Sequence, residues 1–180
     1  MNIIKLSATN STNDYLKDLM RKQYLENYTI VVANDQQKGR GQRDSEWLSE
    51  AGKNLTCSIL VKDLILSAND LFSLNVAVAV SIYETLKVLT RKKIAVKWPN
   101  DIMSYNKKIG GILIENTLKS DGRIVSVVGL GLNVNQTNYD ELPNASSLAV
   151  ISGNSFNKES LVVLIVEKMK QKIDLWQSSA

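Results

Sequence analysis

The segment Lys97-Trp98-Pro99-Asn100-Asp101 puts a lysine at the close of an apolar stretch, immediately before a proline-fixed turn. Such a lysine has its ammonium placed rather than loose in solvent, and a placed cation neutralises charge developing on a phosphate. The plainer reading is a buried or edge-strand lysine paired with Asp101. Asp101 itself either binds Mg²⁺ through water or caps the turn. A second cationic segment, Gly39-Arg40-Gly41-Gln42-Arg43, mixes glycines with guanidinium groups. The glycines let backbone N–H groups approach an anion, and each guanidinium can grip a carboxylate or phosphate with two hydrogen bonds. That is a cradle for a phosphate or an acyl phosphate, or else a solvated basic loop.

Gly110-Gly111, ahead of Ile112-Leu113-Ile114-Glu115, marks backbone approached closely by another strand or by a ligand. Gly129-Leu130-Gly131-Leu132-Asn133-Val134-Asn135 superficially matches a dinucleotide fingerprint, yet polar residues follow where an amphipathic helix is required. A Rossmann site is therefore rejected. Asn133, ending a buried strand, carries an amide that matches the donor and acceptor of an adenine edge. No Walker sequence GxxxxGK[ST] occurs.

There is no histidine and Cys57 is the only cysteine, which excludes a disulfide framework, a His/Cys metal site and any histidine triad. Chemistry here runs on Lys, Arg, carboxylates and backbone groups. With no nucleophile beside an activating base, the set favours charge-stabilised transfer between bound substrates over a covalent enzyme intermediate. The net charge of +4, from 22 basic and 18 acidic residues, is too mild and dispersed to demand a nucleic acid. No basic n-region opens the chain and no window reaches the roughly 18 apolar residues of a membrane span. A cytoplasmic protein with no DNA or membrane partner is expected.

These residues need elements to hold them. A strand over Asn2 to Leu6 and a polar loop from Ser7 lead to a helix capped by Ser11 or Thr12, with Tyr15, Leu16, Leu19 and Met20 on one face. Thr29 to Ala33 reads as a strand delivering an exposed basic loop, Gln36 to Glu46. Leu55 to Val61 alternates as a strand with one buried face, and Asn69 to Leu89 repeats apolar residues at three and four as a core helix. Strands follow at Ile94 to Trp98, Ile109 to Glu115 and Arg123 to Leu132, with Asp121-Gly122 as a hairpin turn. A last helix, Lys158 to Trp176, is expected to pack on that sheet. Hairpins with helices at the ends and middle give an α+β class, a mixed, mostly antiparallel sheet packed with helices. At 180 residues and 44% hydrophobic content, a single domain over 1–180 is expected.

Taken together, Ser11-Thr12-Asn13, Gln36-Gln37-Lys38-Gly39-Arg40-Gly41, Trp47, Lys97-Trp98-Pro99-Asn100-Asp101, Lys108-Ile109-Gly110-Gly111-Ile112-Leu113-Ile114-Glu115 and Gly129-Leu130-Gly131-Leu132-Asn133 resemble biotin protein ligases in order and spacing. The resemblance runs from about residue 7 to 150. It implies a catalytic domain of the biotin/lipoate ligase kind, similar to class II aminoacyl-tRNA synthetases, that makes biotinyl-5′-AMP from biotin and ATP with Mg²⁺. The biotinyl group would then pass to a lysine of a biotin carboxyl carrier protein. It further implies that Ser11, Thr12 and Gln36, beside Asn13, hydrogen-bond the biotin ureido ring, and that Gly39 and Arg40 line that site and its carboxylate end. Lys97 would contact the carboxylate and the α-phosphate, making Lys97 and Arg40 the catalytic cations. Trp47 would flank the adenine, Asn133 would bind it, Arg43 would shape the phosphate loop and Gly111 would let the ligand lie against the sheet.

Where the family's basic loop commonly reads GRGRRGRxW, this chain has Gln42, Asp44 and Ser45, two positive charges fewer. A leakier adenylate is the expectation. No helix-turn-helix precedes residue 7 and no SH3-like barrel follows Trp176, so transcriptional repression is not expected; a homodimer through sheet edges fits the resemblance. Two other readings compete. A lipoate ligase or octanoyltransferase shares the resemblance in part, and a noncatalytic anion or nucleic-acid binding module would use the same cations but lacks interleaved aromatics.

Overall fold

The computed structural model describes residues 1–62 and 70–178. In chain order the elements are β1 (Ile3–Thr9), α1 (Thr12–Lys22), β2 (Ile30–Gln36), β3 (Gly39–Arg40), a 3-10 turn (Gln42–Asp44), β4 (Glu46–Trp47), β5 (Leu55–Val61), α2 (Asp70–Thr90), β6 (Ile94–Lys97), β7 (Asp101–Ser104), β8 (Lys107–Leu118), β9 (Ile124–Leu132), α3 (Leu148–Ser152) and α4 (Lys158–Ser178). Two compact units result, one from Met1–Ser67 with Gly111–Leu132, the other from Ala68–Gly110 with Asn133–Ala180. β8 begins in the second and ends in the first.

In the first unit the strand order is β1-β2-β5-β9-β8. β1 and β2 are parallel, Ile3 opposite Ile30 and Thr9 opposite Gln36, because α1 carries the chain back between them. β2 and β9 then run antiparallel to β5. All seven residues of β5 are buried, so Thr56, Ser58 and Leu60 do not face solvent as a one-sided strand would require. The reason is position: a central strand covered on both faces has no wet side. Leu16 from α1 packs with Leu25, Val31, Leu60, Val125 and Val127, and Ile4, Leu6, Tyr15, Leu19 and Met20 close over them. Ser11 caps α1 as the sequence indicated, but Ser7 to Thr9 belong to β1 instead of a loop, because pairing to β2 satisfies their backbone. Likewise Gln36 to Glu46 is no open loop. It holds the end of β2, the ribbon β3–β4 with Arg40 opposite Glu46, and the tight turn between them.

In the second unit β6 and β7 form a hairpin around the cis peptide Trp98–Pro99, with Lys97 opposite Asp101, and β7 lies beside β8. The strand β7 was not anticipated; four residues after a proline turn carry little periodicity of their own. α4 lies along α2, joining the buried Val162, Val166 and Met169 to the helix that carries Leu74, Val78 and Ile82. The expected start of α2 at Asn69 lies outside the described residues. α2 is also, against expectation, long and apolar enough to cross a membrane by length and composition. Its burial of Ser81 and Thr85, whose hydroxyls donate to carbonyls one turn back, marks it as a core helix. The Asp121-Gly122 turn joins β8 to β9 with Gly122 at φ 82°, as the dipeptide predicts.

Candidate functional site

The first unit gathers a continuous polar network around the start of α1. A helix start leaves backbone donors without intrahelical partners. Thr12 N donates to Gln36 Oε1 at 2.9 Å and Thr12 Oγ1 donates to the same oxygen at 3.2 Å. The Gln36 amide is thereby oriented from the end of β2 towards Gly39, where a β-carbon would stand 2.7 Å from Gln36 Nε2. Behind it Ser58 Oγ, fully buried on β5, lies 2.8 Å from Thr12 Oγ1 and donates its one proton to Asn13 Oδ1 at 2.5 Å. Asn13 Nδ2 in turn donates to Glu115 Oε2 at 2.7 Å. Ser11 caps the helix, its hydroxyl accepting from Asp14 N at 3.4 Å.

A charged cluster continues from Glu115. Arg40 Nη2 sits 2.6 Å from Asp14 Oδ1 and 3.5 Å from Glu115 Oε1. Lys17 Nζ lies 2.9 and 3.0 Å from those same two oxygens. Burial opposes the charge on Lys17, but the two carboxylates outweigh it and hold its pKa above the ordinary value. A cleft of about 390 Å³ opens here, lined by Arg40, Arg43, Leu113 and Glu115 among others. Arg43 is exposed in the 3-10 turn with φ 55° and ψ 45°, a left-handed conformation that lets the ribbon reverse within three residues.

The glycines of the 129–133 motif serve side chains of this unit. A β-carbon at Gly129 would lie 2.6 Å from Asn13 Oδ1, and one at Gly131 would lie 2.7 Å from Trp47 Cζ2 and Nε1. So β9 is bare where Asn13 and Trp47 rest on it. Ser58, Asp14, Lys17 and the role of Glu115 were missed by sequence reasoning. A serine inside an apolar strand was the available signal for Ser58; the others read as an ordinary polar helix face and strand end.

Gly111 stands in β8 within the first unit. Lys97 is exposed at the end of β6 in the second unit, and its ammonium makes no ion pair or hydrogen bond among the described residues. Asp101 is paired not with Lys97 but with Lys108, Nζ to Oδ1 at 2.7 Å. Asn133, 5% exposed, donates from Nδ2 to Ser146 O at 2.9 Å while its backbone N–H donates to Ile109 O. As to Mg²⁺, a lone carboxylate already neutralised by Lys108 makes no cage, and among the described residues no three His, Cys, Asp or Glu side chains gather.

A sequence profile of the Biotin/lipoate A/B protein ligase family matches residues 6–135. The chain is 28% identical to the bifunctional ligase/repressor BirA of Escherichia coli (strain K12) over 174 residues, covering 96% of this chain and 53% of that one. It thus spans about half the length of the curated relatives it matches. Its fold superposes on a biotin protein ligase from Aquifex aeolicus solved with biotin and ATP, with TM-score 0.81, 28% identity and coverage of 99% and 73% of the two chains. A biotin protein ligase from Leishmania major, solved with biotinyl-5-AMP, is similar at TM-score 0.80 and 25% identity, covering 98% and 76%.

Proposed function

Because the chain belongs to the Biotin/lipoate A/B protein ligase family, we propose that it activates biotin with ATP and passes the biotinyl group to a lysine of a biotin carboxyl carrier protein. A biotin carboxylate oxygen attacks the α-phosphorus of ATP, the bond to the bridging oxygen breaks and pyrophosphate leaves. The carrier's amine then attacks the acyl carbon of the mixed anhydride and expels AMP. The observation that carries this reading is the polarity of the first unit's network. One end, Thr12 and Gln36, offers uncharged donors and acceptors suited to a ureido ring; the other, on the ribbon that follows Gln36, carries the Arg40 guanidinium suited to a carboxylate.

Arg40 and Lys97 are assigned to offset the repulsion between the two anions that adenylation brings together. Trp47 is assigned to flank the adenine. With Asn133 Nδ2 held by the Ser146 carbonyl, its Oδ1 is the atom that accepts from the adenine amino group. Mg²⁺, when bound, screens the phosphates; no cluster of ligating side chains for it gathers among the described residues, and no step is assigned to it. The test is biotin-dependent exchange of labelled pyrophosphate into ATP, run beside octanoate and lipoate. Exchange with biotin is expected. Exchange with lipoate alone would move the assignment to the lipoyl branch, and none with any acid would refute the ligase reading.

A further inference from the structure

The two carboxylates around Arg40 have a consequence for how that residue takes an anion. Both cations of the cluster converge on the same oxygens, Asp14 Oδ1 and Glu115 Oε1, so when Arg40 turns away Lys17 still holds both acids and leaves the trio with one net negative charge instead of two. Arg40 engages them only through Nη2, and the contact to Glu115 is long. Its Nη1 and Nε make no hydrogen bond among the described residues, which leaves one edge of the fork for a two-point grip on an anion. Glu115 is fixed, because Asn13 holds its other oxygen and buried Ser58 holds Asn13. Asp14, 47% exposed, is the looser of the two.

We propose that Asp14 and Glu115 are positioning residues that compete with the anionic substrate for Arg40, and that Lys17 sets how strongly they compete. The inference rests on Arg40 serving the carboxylate end of the site. With Lys17 in place, the acids keep a counter-ion while the guanidinium turns to the substrate. Without Lys17, Arg40 is their only counter-ion and is held back. Without the Asp14 charge, Arg40 is freed. Opposite signs from two neighbours of one arginine are what a merely structural cluster would not produce, since either loss would then weaken binding.

The experiment measures calorimetric binding of inorganic pyrophosphate to the full chain and to Asp14→Asn, Lys17→Met and Lys17→Arg, together with biotin KM and kcat in the exchange assay. For partly exposed pairs the expected change is about two- to fivefold in Kd, tighter for Asp14→Asn and weaker for Lys17→Met, with Lys17→Arg near the parent. Biotin KM follows the same order while kcat stays within about twofold. Shifts of the same sign, no shifts, or no pyrophosphate binding by any variant would overturn the proposal. Pyrophosphate binding is read without turnover, so the ordered Kd pattern alongside failed biotin exchange would sink the ligase reading and leave the positioning role standing.

Discussion

Trp47 lies so close over Gly131 that a β-carbon on that glycine would stand 2.7 Å from the indole Cζ2 and Nε1. The glycine is therefore part of how the ribbon β3–β4 seats on β9, and the two residues form one packing unit. Gly131→Ala should displace the indole and cost about 1–3 kcal/mol, as overpacking typically does. Urea unfolding followed by tryptophan fluorescence measures this. Combined with Trp47→Ala the penalty should shrink, since the obstacle is gone; additive losses would show the contact to be incidental.

Ser58 is a second expected weak point. Its hydroxyl serves Thr12 and Asn13 in a fully buried position. Ser58→Ala leaves Asn13 Oδ1 without that donor and should cost about 1–3 kcal/mol. Biotin KM should rise with it, because Thr12 and Asn13 lose their common anchor. Unchanged stability and KM would remove Ser58 from the network.

Lys97→Ala should reduce pyrophosphate exchange by roughly 10²- to 10³-fold, the usual effect of deleting one charge-stabilising group at a reacting centre. Its side chain is exposed, so the fold should be untouched. Near-normal exchange in a folded variant would strip Lys97 of its assigned role.

The basic turn gives a prediction on intermediate retention. The turn closes on itself, Gly41 N donating to Ser45 O at 2.6 Å and Ser45 Oγ to Gln42 O at 2.8 Å. Ser45 is therefore built into the turn, and Gln42 is the better place to restore a charge. Gln42→Arg should slow release of biotinyl-5′-AMP by about two- to fivefold, a partly exposed contact's worth. Equal release half-lives would mean that the missing charges do not govern retention.

Between α2 and α4, Lys172 Nζ hydrogen-bonds Glu84 Oε1 at 2.6 Å and holds the Glu84 carboxyl below its ordinary pKa. A depressed carboxyl contributes stability above its unfolded pKa, and loses it as pH falls through the native value. The parent should therefore be more stable than Glu84→Gln to urea at neutral pH, by less than about 1 kcal/mol given the exposure of the pair. The gap should close in the acid range. A gap independent of pH would assign the effect to packing.

The local grammar of the fold was open to sequence reading because its causes lie within a few residues. Ser11 ahead of an apolar stripe caps α1, Asp121-Gly122 turns β8 into β9, and the three-four spacing of Leu71, Leu74, Val78 and Ile82 makes a core helix. The motif residues were also recognisable by type and spacing, as was the family. What tertiary structure alone decided are the partners. Asp101 meets Lys108 rather than Lys97, the Asn133 amide meets Ser146, and Gly129 and Gly131 make room for Asn13 and Trp47. Arg40 meets Asp14 and Glu115, 26 and 75 positions away in the sequence. Residue type states which bonds a side chain can make. Which bond it does make is set by the neighbours that strand pairing and core burial bring within about 3 Å, and no local pattern in the chain encodes that choice.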